Sequence, residues 1–147
     1  MDKSLVGIAG AHFVAGELTR RGFVATLTSR NTEGIDILVS NKSGSKTIAI
    51  QVKTTEGKTE PRSWIMSEKS EKRVDNLFYI FVSLKKDKMP EFFIVSSNDV
   101  ADYISSHHKK WLETPGKKGQ QHKTTNMRKF SDNEGKYLNR WDLLKLE

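Results

Sequence analysis

The sequence predicts a mixed α/β (α+β) fold, and three observations predict it. A helix-like stretch opens the chain, five short β-like runs follow, and a second helical stretch precedes a basic, glycine-bearing tail. The length of 147 residues fits one core, since a chain of that size buries roughly 70% of the surface its unfolded form exposes. Leu, Ile, Val and Phe together number 36, about 24% of the chain, above the ~20% below which disorder becomes the rule. With no internal repeat, residues 1–147 read as a single domain: a core over about 4–112, then a basic loop and a closing helix over 113–147.

Residues 4–21 read as a helix, with Ser4 as N-cap and Gly22 as the C-terminal stop. Gly7, Gly10 and Gly16 each cost up to ~1 kcal/mol against alanine there, so the helix has to gain its stability from close packing. At 100° per residue Val6, Gly10, Phe13 and Glu17 share a stripe, which puts a carboxylate on the expected core side. β-like runs follow at 23–28, 35–40, 47–54, 76–84 and 91–96, with a linker between the third and fourth. Residues 98–112 read as a helix capped by Asn98, with Val100, Ala101, Ile104, His108 and Trp111 at helical spacing. Residues 113–136 hold Pro115, three glycines and many charges, which predicts a long loop, and 137–146 predicts a closing helix.

Composition narrows the function classes. Twenty-five Lys and Arg against 18 Asp and Glu leave +7 and a pI near 9.6, so a polyanion is the first partner to consider. The absence of cysteine excludes disulfides, thiolate zinc sites, iron–sulfur clusters and cysteine nucleophiles, and fits a reducing compartment. The most apolar run, 77–84, is far shorter than the ~18 residues of a membrane span, and the first residues lack a basic region followed by an apolar one. The expectation is a soluble, cytoplasmic protein with no membrane partner. Gly57-Lys58-Thr59 resembles the end of a phosphate-binding loop, but Val52 stands where that motif needs glycine.

The chemistry-bearing stretch is Gly34-Ile35-Asp36 followed by Gln51-Val52-Lys53. Strand alternation puts Ile48, Ile50 and Val52 on one face and Ala49, Gln51 and Lys53 on the other. A two-residue turn at Ser43-Gly44 would set Asp36 opposite Gln51, roughly 5 Å between Cβ atoms, with Lys53 on the diagonal; another turn would slide or flip that register. An acid, an amide oxygen and an ammonium on one patch suit phosphodiester hydrolysis. A hard cation takes oxygen ligands from one or two carboxylates plus substrate phosphates, and a lysine can orient or deprotonate water and counter charge developing on phosphorus.

Helix with Glu17, then Gly34-Ile35-Asp36, then Gln51-Val52-Lys53: this order resembles the PD-(D/E)xK nuclease superfamily, particularly its Holliday-junction-resolvase-like and restriction-endonuclease-like branches, over about residues 5–55. The resemblance implies a restriction-endonuclease-like αβββαβ core with a mixed central sheet flanked by helices. It also implies Glu17 as the helix acid, Asp36 and Gln51 as metal ligands together with Glu17, and Lys53 as the catalytic lysine. The cofactor would be Mg²⁺ or Mn²⁺ and the substrate nucleic acid, with DNA favoured; two copies, as a homodimer, would cut two strands symmetrically. Gln51 departs from the usual Asp or Glu and makes the site less negative. A degenerate nuclease fold serving as a nucleic-acid-binding or protein-interaction module is the competing reading, and an accessory subunit of a restriction or mobile-element system is a third.

Charge is uneven along the chain: +2 over 1–106 and +5 over 107–147. Lys109, Lys110, Lys117, Lys118, Lys123, Arg128 and Lys129 face only Glu113 within 107–129, so this segment is either a nucleic-acid contact or a solvated loop. Glu17 can instead pair with Arg20 or Arg21, and Glu33 is a spare acid or a turn residue. His107, His108 and His122 read as solvent or phosphate contacts and not as metal ligands. Trp64, Trp111 and Trp141 read as core, with base stacking as the alternative.

Overall fold

The computed structural model describes residues 1–29, 32–57 and 62–147. Lys58 and Thr59 of the discounted phosphate-loop match lie outside them. Helix α1, Lys3–Arg20, is capped by Asp2, whose carboxylate accepts the Ser4 N–H at 2.8 Å; the cap expected at Ser4 thus sits two residues earlier. Its buried row is Val6, Gly10, Val14 and Leu18, an i+4 ridge, whereas Phe13 is 43% exposed. The stripe expected through Phe13 and Glu17 mixed i+3 and i+4 steps and so left the ridge that meets the sheet. Gly10 is where the helix backbone comes closest: a Cβ there would lie 1.8 Å from Thr54 Oγ1.

Strands β1 (Val24–Leu27), β2 (Ile37–Ser40) and β3 (Thr47–Glu56) form an antiparallel meander. The β2–β3 hairpin closes through Asn41 N–H to the Lys46 carbonyl at 3.1 Å, with Gly44 at φ +76°, so residues 42–45 form the loop instead of Ser43-Gly44 alone. Both loops share a midpoint. The register is therefore the expected one, with Ile37 opposite Ile50 and Val39 opposite Ile48. Strand β3 also pairs in parallel with β5, Leu77–Leu84, and β5 pairs antiparallel with β6, Glu91–Ser96, giving a mixed sheet in the order β1-β2-β3-β5-β6.

The crossover from β3 to β5, where an αβββαβ order would place a helix, holds strand β4 (Ser63–Ser67) and a 3-10 turn, Glu68–Glu71. Helix α2, Ser97–Glu113, comes after β6 and is capped by the Ser96 hydroxyl, which accepts the Asp99 N–H at 3.1 Å, instead of by Asn98. Strand β7, Met127–Ser131, lies inside the stretch read as loop and pairs antiparallel with β4, which lies in the stretch read as linker. The closing helix expected over 137–146 is a single 3-10 turn, Trp141–Leu144. Asn139 at φ +55° and Lys145 at φ +51° bracket it in left-handed conformations that an α-helix cannot contain.

Two cores sandwich the sheet. On the α1 side, Val14 and Leu18 meet Ile37, Val39, Ile48, Ile50, Ile80, Val82 and Ile94, and the C-terminal Trp141, Leu144 and Leu146 complete that core. On the other side, Trp64, Phe81, Phe93 and Phe130 pack with Val100 and Ile104 of α2; Phe81 and Phe130 stack at 4.3 Å, and Trp64 Nε1–H donates to the Val82 carbonyl at 3.0 Å. Coverage of β5 on both faces explains its nearly continuous apolar sequence, interrupted by Ser83. Among the described residues no helix is long and apolar enough to cross a membrane.

Candidate metal and phosphodiester site

Asp36 lies one residue before β2, where β2 leaves β3. Gly34 at φ +75° turns the chain into this position, which fixes why a glycine precedes it. The Asp36 N–H donates to the Ile50 carbonyl at 2.8 Å, and its carboxylate Oδ2 accepts the Val52 N–H at 2.7 Å. Val52 N–H is the next ladder donor on β3 after β2 has ended, so the carboxylate takes the place of a missing strand carbonyl and lies in the plane of the sheet. The Thr28 N–H meets the Asp36 carbonyl at 3.0 Å, tying the end of β1 to the same point. Among the described residues the other carboxylate oxygen accepts no hydrogen bond.

Gln51 follows Ile50, the last β3 residue in register with β2, and is partly buried; the Asp36 N–H also meets the Ile50 carbonyl, so the regular pairing ends there. Lys53 is also partly buried, two residues along the same face. Burial pushes the Lys53 ammonium below the usual lysine range, and the Asp36 charge acts against that shift. These two groups therefore sense each other across the gap between β2 and β3. Among the described residues no hydrogen bond holds the Gln51 amide or the Lys53 amine.

Glu17 is not brought to this point. Its carboxylate is held by Arg20 at 2.6 Å and Arg21 at 3.1 Å, and the Arg20 hydrogen bond, ahead of the charges of both arginines and against some burial, keeps it below the usual carboxylate range. It borders a hollow with Phe13, Met89 and Phe92, while Asp36 borders another, about 480 Å³, whose helix wall is Lys3, Ser4, Gly7, Ile8, Ala11 and His12. No acid of α1 faces Asp36 from that wall. Among the described residues no three His, Cys, Asp or Glu side chains cluster as a ready-made metal site. The oxygen donors that remain, Asp36 and Gln51, suit a hard cation that completes its shell with water and substrate phosphate. Sequence reasoning missed the Val52 clamp because a backbone amide carries no residue-type signature, and missed the His12 wall because only the helix's seat on the sheet decides it.

Among solved structures, the chain is similar to the bacterial homing endonuclease I-Ssp6803I, with a TM-score of 0.59 and 11% identity over 97% of this chain and 91% of that one. It is also similar to Hjc, a Holliday junction resolvase of the archaeal hyperthermophile Archaeoglobus fulgidus, with a TM-score of 0.52 and 17% identity over 96% of this chain and 97% of that one. The fold is restriction-endonuclease-like. No family model and no curated protein matches the sequence.

On this restriction-endonuclease-like frame the basic segment is more ordered than a solvated loop. Lys109, Lys110, Lys117, Lys118, Lys123 and Lys129 are exposed, but Arg128 is 7% exposed, with Nε 3.2 Å from Glu71 and Nη1 donating to the Thr125 and Met127 carbonyls. Arg128 is a structural tie of β7 to the 3-10 turn, not a free phosphate contact; strand alternation turns it inward with Phe130. His107 of α2 is held below its usual range by burial and then by Lys129, His108 and Lys110, which places those cations together. His122 stacks on Trp111 at 4.0 Å and its Nδ1 meets the Trp111 carbonyl at 2.8 Å, while His108 stacks on the same indole. Trp64 and Trp141 are buried and Trp111 is engaged by these two imidazoles, so the tryptophans are packing residues and not free base platforms. Glu33 reaches Lys69 at 3.3 Å on the surface.

Proposed function

We propose that this protein is a metal-dependent nuclease that hydrolyses phosphodiester bonds, with DNA as substrate, acting in the cytoplasm. The observation that carries the reading is the Asp36 carboxylate clamped by the Val52 N–H in the gap of the sheet, with Gln51 next to Val52 on β3 and Lys53 within its field. Asp36 and Gln51 would hold Mg²⁺ or Mn²⁺. Such an ion polarises the phosphodiester and lowers the pKa of bound water. Lys53, its ammonium destabilised by burial, is suited to orient the attacking water, accept its proton and counter the charge growing on the phosphoryl oxygens. Lys109, Lys110, Lys117, Lys118, Lys123 and Lys129 would hold the phosphate backbone.

The test is cleavage of plasmid and branched DNA with and without Mg²⁺ or Mn²⁺. Asp36→Asn and Lys53→Met should each lose at least about 100-fold in rate, whereas Glu17→Gln should stay within a few-fold of the parent. Cleavage untouched by Asp36→Asn would sink the assignment. A second reading, a degenerate nuclease fold that binds nucleic acid without cutting it, draws support from the neutral Gln51 and from a helix wall that offers Asp36 no second acid. It predicts salt-sensitive DNA binding with no metal-dependent cleavage.

A further inference from the structure

The second core draws on β4, β5, β6, β7 and α2 and has no member from β1, β2 or β3. Among the described residues, helix α2 and its partner strands therefore cover mainly the β5–β6 half of the sheet on the side away from α1, and Val24, Thr26 and Leu38 of the other half are exposed. Strand register defines that open face. Thr26 lies opposite Leu38 and Leu38 opposite Ala49 in one row; Val24, Ser40 and Thr47 make the next row outward. Leu38 is 44% exposed and Val24 54%, on strands whose opposite faces hold the fully buried Ile37 and Val39. In the other direction Gln51 and then Lys53 follow Ala49 on the same face of β3, and Asp36, two residues before Leu38, stands at that edge on the hollow walled by α1. Two residues along a strand advance about 7 Å, so the exposed leucine is one row from the proposed chemistry.

From this placement we propose that the open face is the seat of the nucleic-acid strand next to the scissile phosphate, with Leu38 as the residue that contacts its sugars or bases. The surface is chemically suited to the non-phosphate parts of a strand: two aliphatic side chains, three hydroxyls and an alanine, with no acid to repel a polyanion before Asp36 itself. Lys53 is the cation at its Asp36 end. Area argues against a second copy of the chain as occupant. Three strands spaced about 4.8 Å and two rows about 7 Å apart span on the order of 100–150 Å², whereas a stable dimer needs about 800 Å² per partner. A patch of that size matches a nucleotide or two. The inference rests on the proposed site for the position of the scissile phosphate, and not on turnover.

Two measurements separate these dependencies. DNA binding is read by fluorescence anisotropy in an Asp36→Asn background, and kcat and KM are read separately in the otherwise unchanged protein. Leu38→Glu should weaken binding at least about 10-fold and raise KM similarly with kcat within about 2-fold, and Leu38→Ala should weaken it less. Met89→Glu, at a site that is 70% exposed and borders the separate hollow with Phe13 of α1, should change neither. Thermal unfolding of each variant establishes that the fold is intact. If Leu38→Glu binds DNA as well as Met89→Glu does, the inference is overturned. A change in sedimentation from dimer to monomer with unchanged DNA affinity would overturn it too, in favour of a second copy. Binding that depends on Leu38 in a protein that never cleaves DNA would uphold this inference while removing the nuclease reading.

Discussion

Substituting Gly10 by alanine should destabilise the protein although alanine is the better helix former. The added Cβ would stand 1.8 Å from Thr54 Oγ1, 2.8 Å from Thr54 Cβ and 2.9 Å from Thr54 Cγ2. Rotating the threonine moves the hydroxyl and methyl but leaves its Cβ too close, so α1 has to lift from β3. Overpacking of this kind costs about 1–3 kcal/mol, and helix propensity returns about 1, for a net loss of up to about 2 kcal/mol. Gly7 and Gly16 on the same helix have nothing within 4 Å of an added Cβ, so alanine at either should stabilise by up to about 1 kcal/mol. Urea unfolding of the three variants reads the difference as opposite shifts in midpoint at constant m-value. Thr54→Ala removes the hydroxyl and methyl, so Gly10→Ala should cost about 1 kcal/mol less in that background. Gly10→Ala stabilising the protein as much as Gly7→Ala would refute the close seating of α1, and with it the wall of the Asp36 hollow.

Two further outcomes follow from the charged groups. Lys53→Met should abolish cleavage yet raise stability at neutral pH by about 0.5–2 kcal/mol, as expected when a functional charge is removed from a poorly solvated site. Because the folded-state value of Lys53 is depressed, the unfolded chain binds more protons between that value and the ordinary lysine value. Parent stability therefore rises with pH through that window, and the advantage of Lys53→Met should shrink there in denaturant titrations at stepped pH. Arg128→Ala should cost about 2–3 kcal/mol by stranding Glu71 and two carbonyls. Lys117→Ala or Lys123→Ala should leave stability within about 0.5 kcal/mol and lower the salt slope of DNA binding by up to about 0.9 for each phosphate no longer neutralised.

Elements whose residues carry a local signal could be read from the chain alone. Alternation in residues 35–40 and 47–54 set the faces of β2 and β3, and the midpoint of the Asn-Lys-Ser-Gly-Ser turn set their register, because every even-length loop about one midpoint pairs the same residues. That is why Asp36, Gln51 and Lys53 were legible as a constellation in the amino-acid order itself. Short strands flanked by charge were not legible: Trp64 and Met66 of β4 and Arg128 and Phe130 of β7 are buried because each strand pairs with the other, some sixty residues away, and the pair packs on β5, β6 and α2. A buried arginine looks like a surface arginine in sequence, and its partners, Glu71 and the Thr125 and Met127 carbonyls, reveal the difference.

Tertiary packing settled the rest of the site. Which row of α1 meets the sheet depends on where Gly10 lets the backbone touch Thr54, and that choice keeps Glu17, paired at helical spacing with Arg20 and Arg21, off the hollow of Asp36 while turning Ala11 and His12 toward it. Helical periodicity fixes angles between residues and not the angle between helix and sheet. The sequence could name the groups able to hold a cation and move a proton; the packing of one helix on one strand determined which of them share a place.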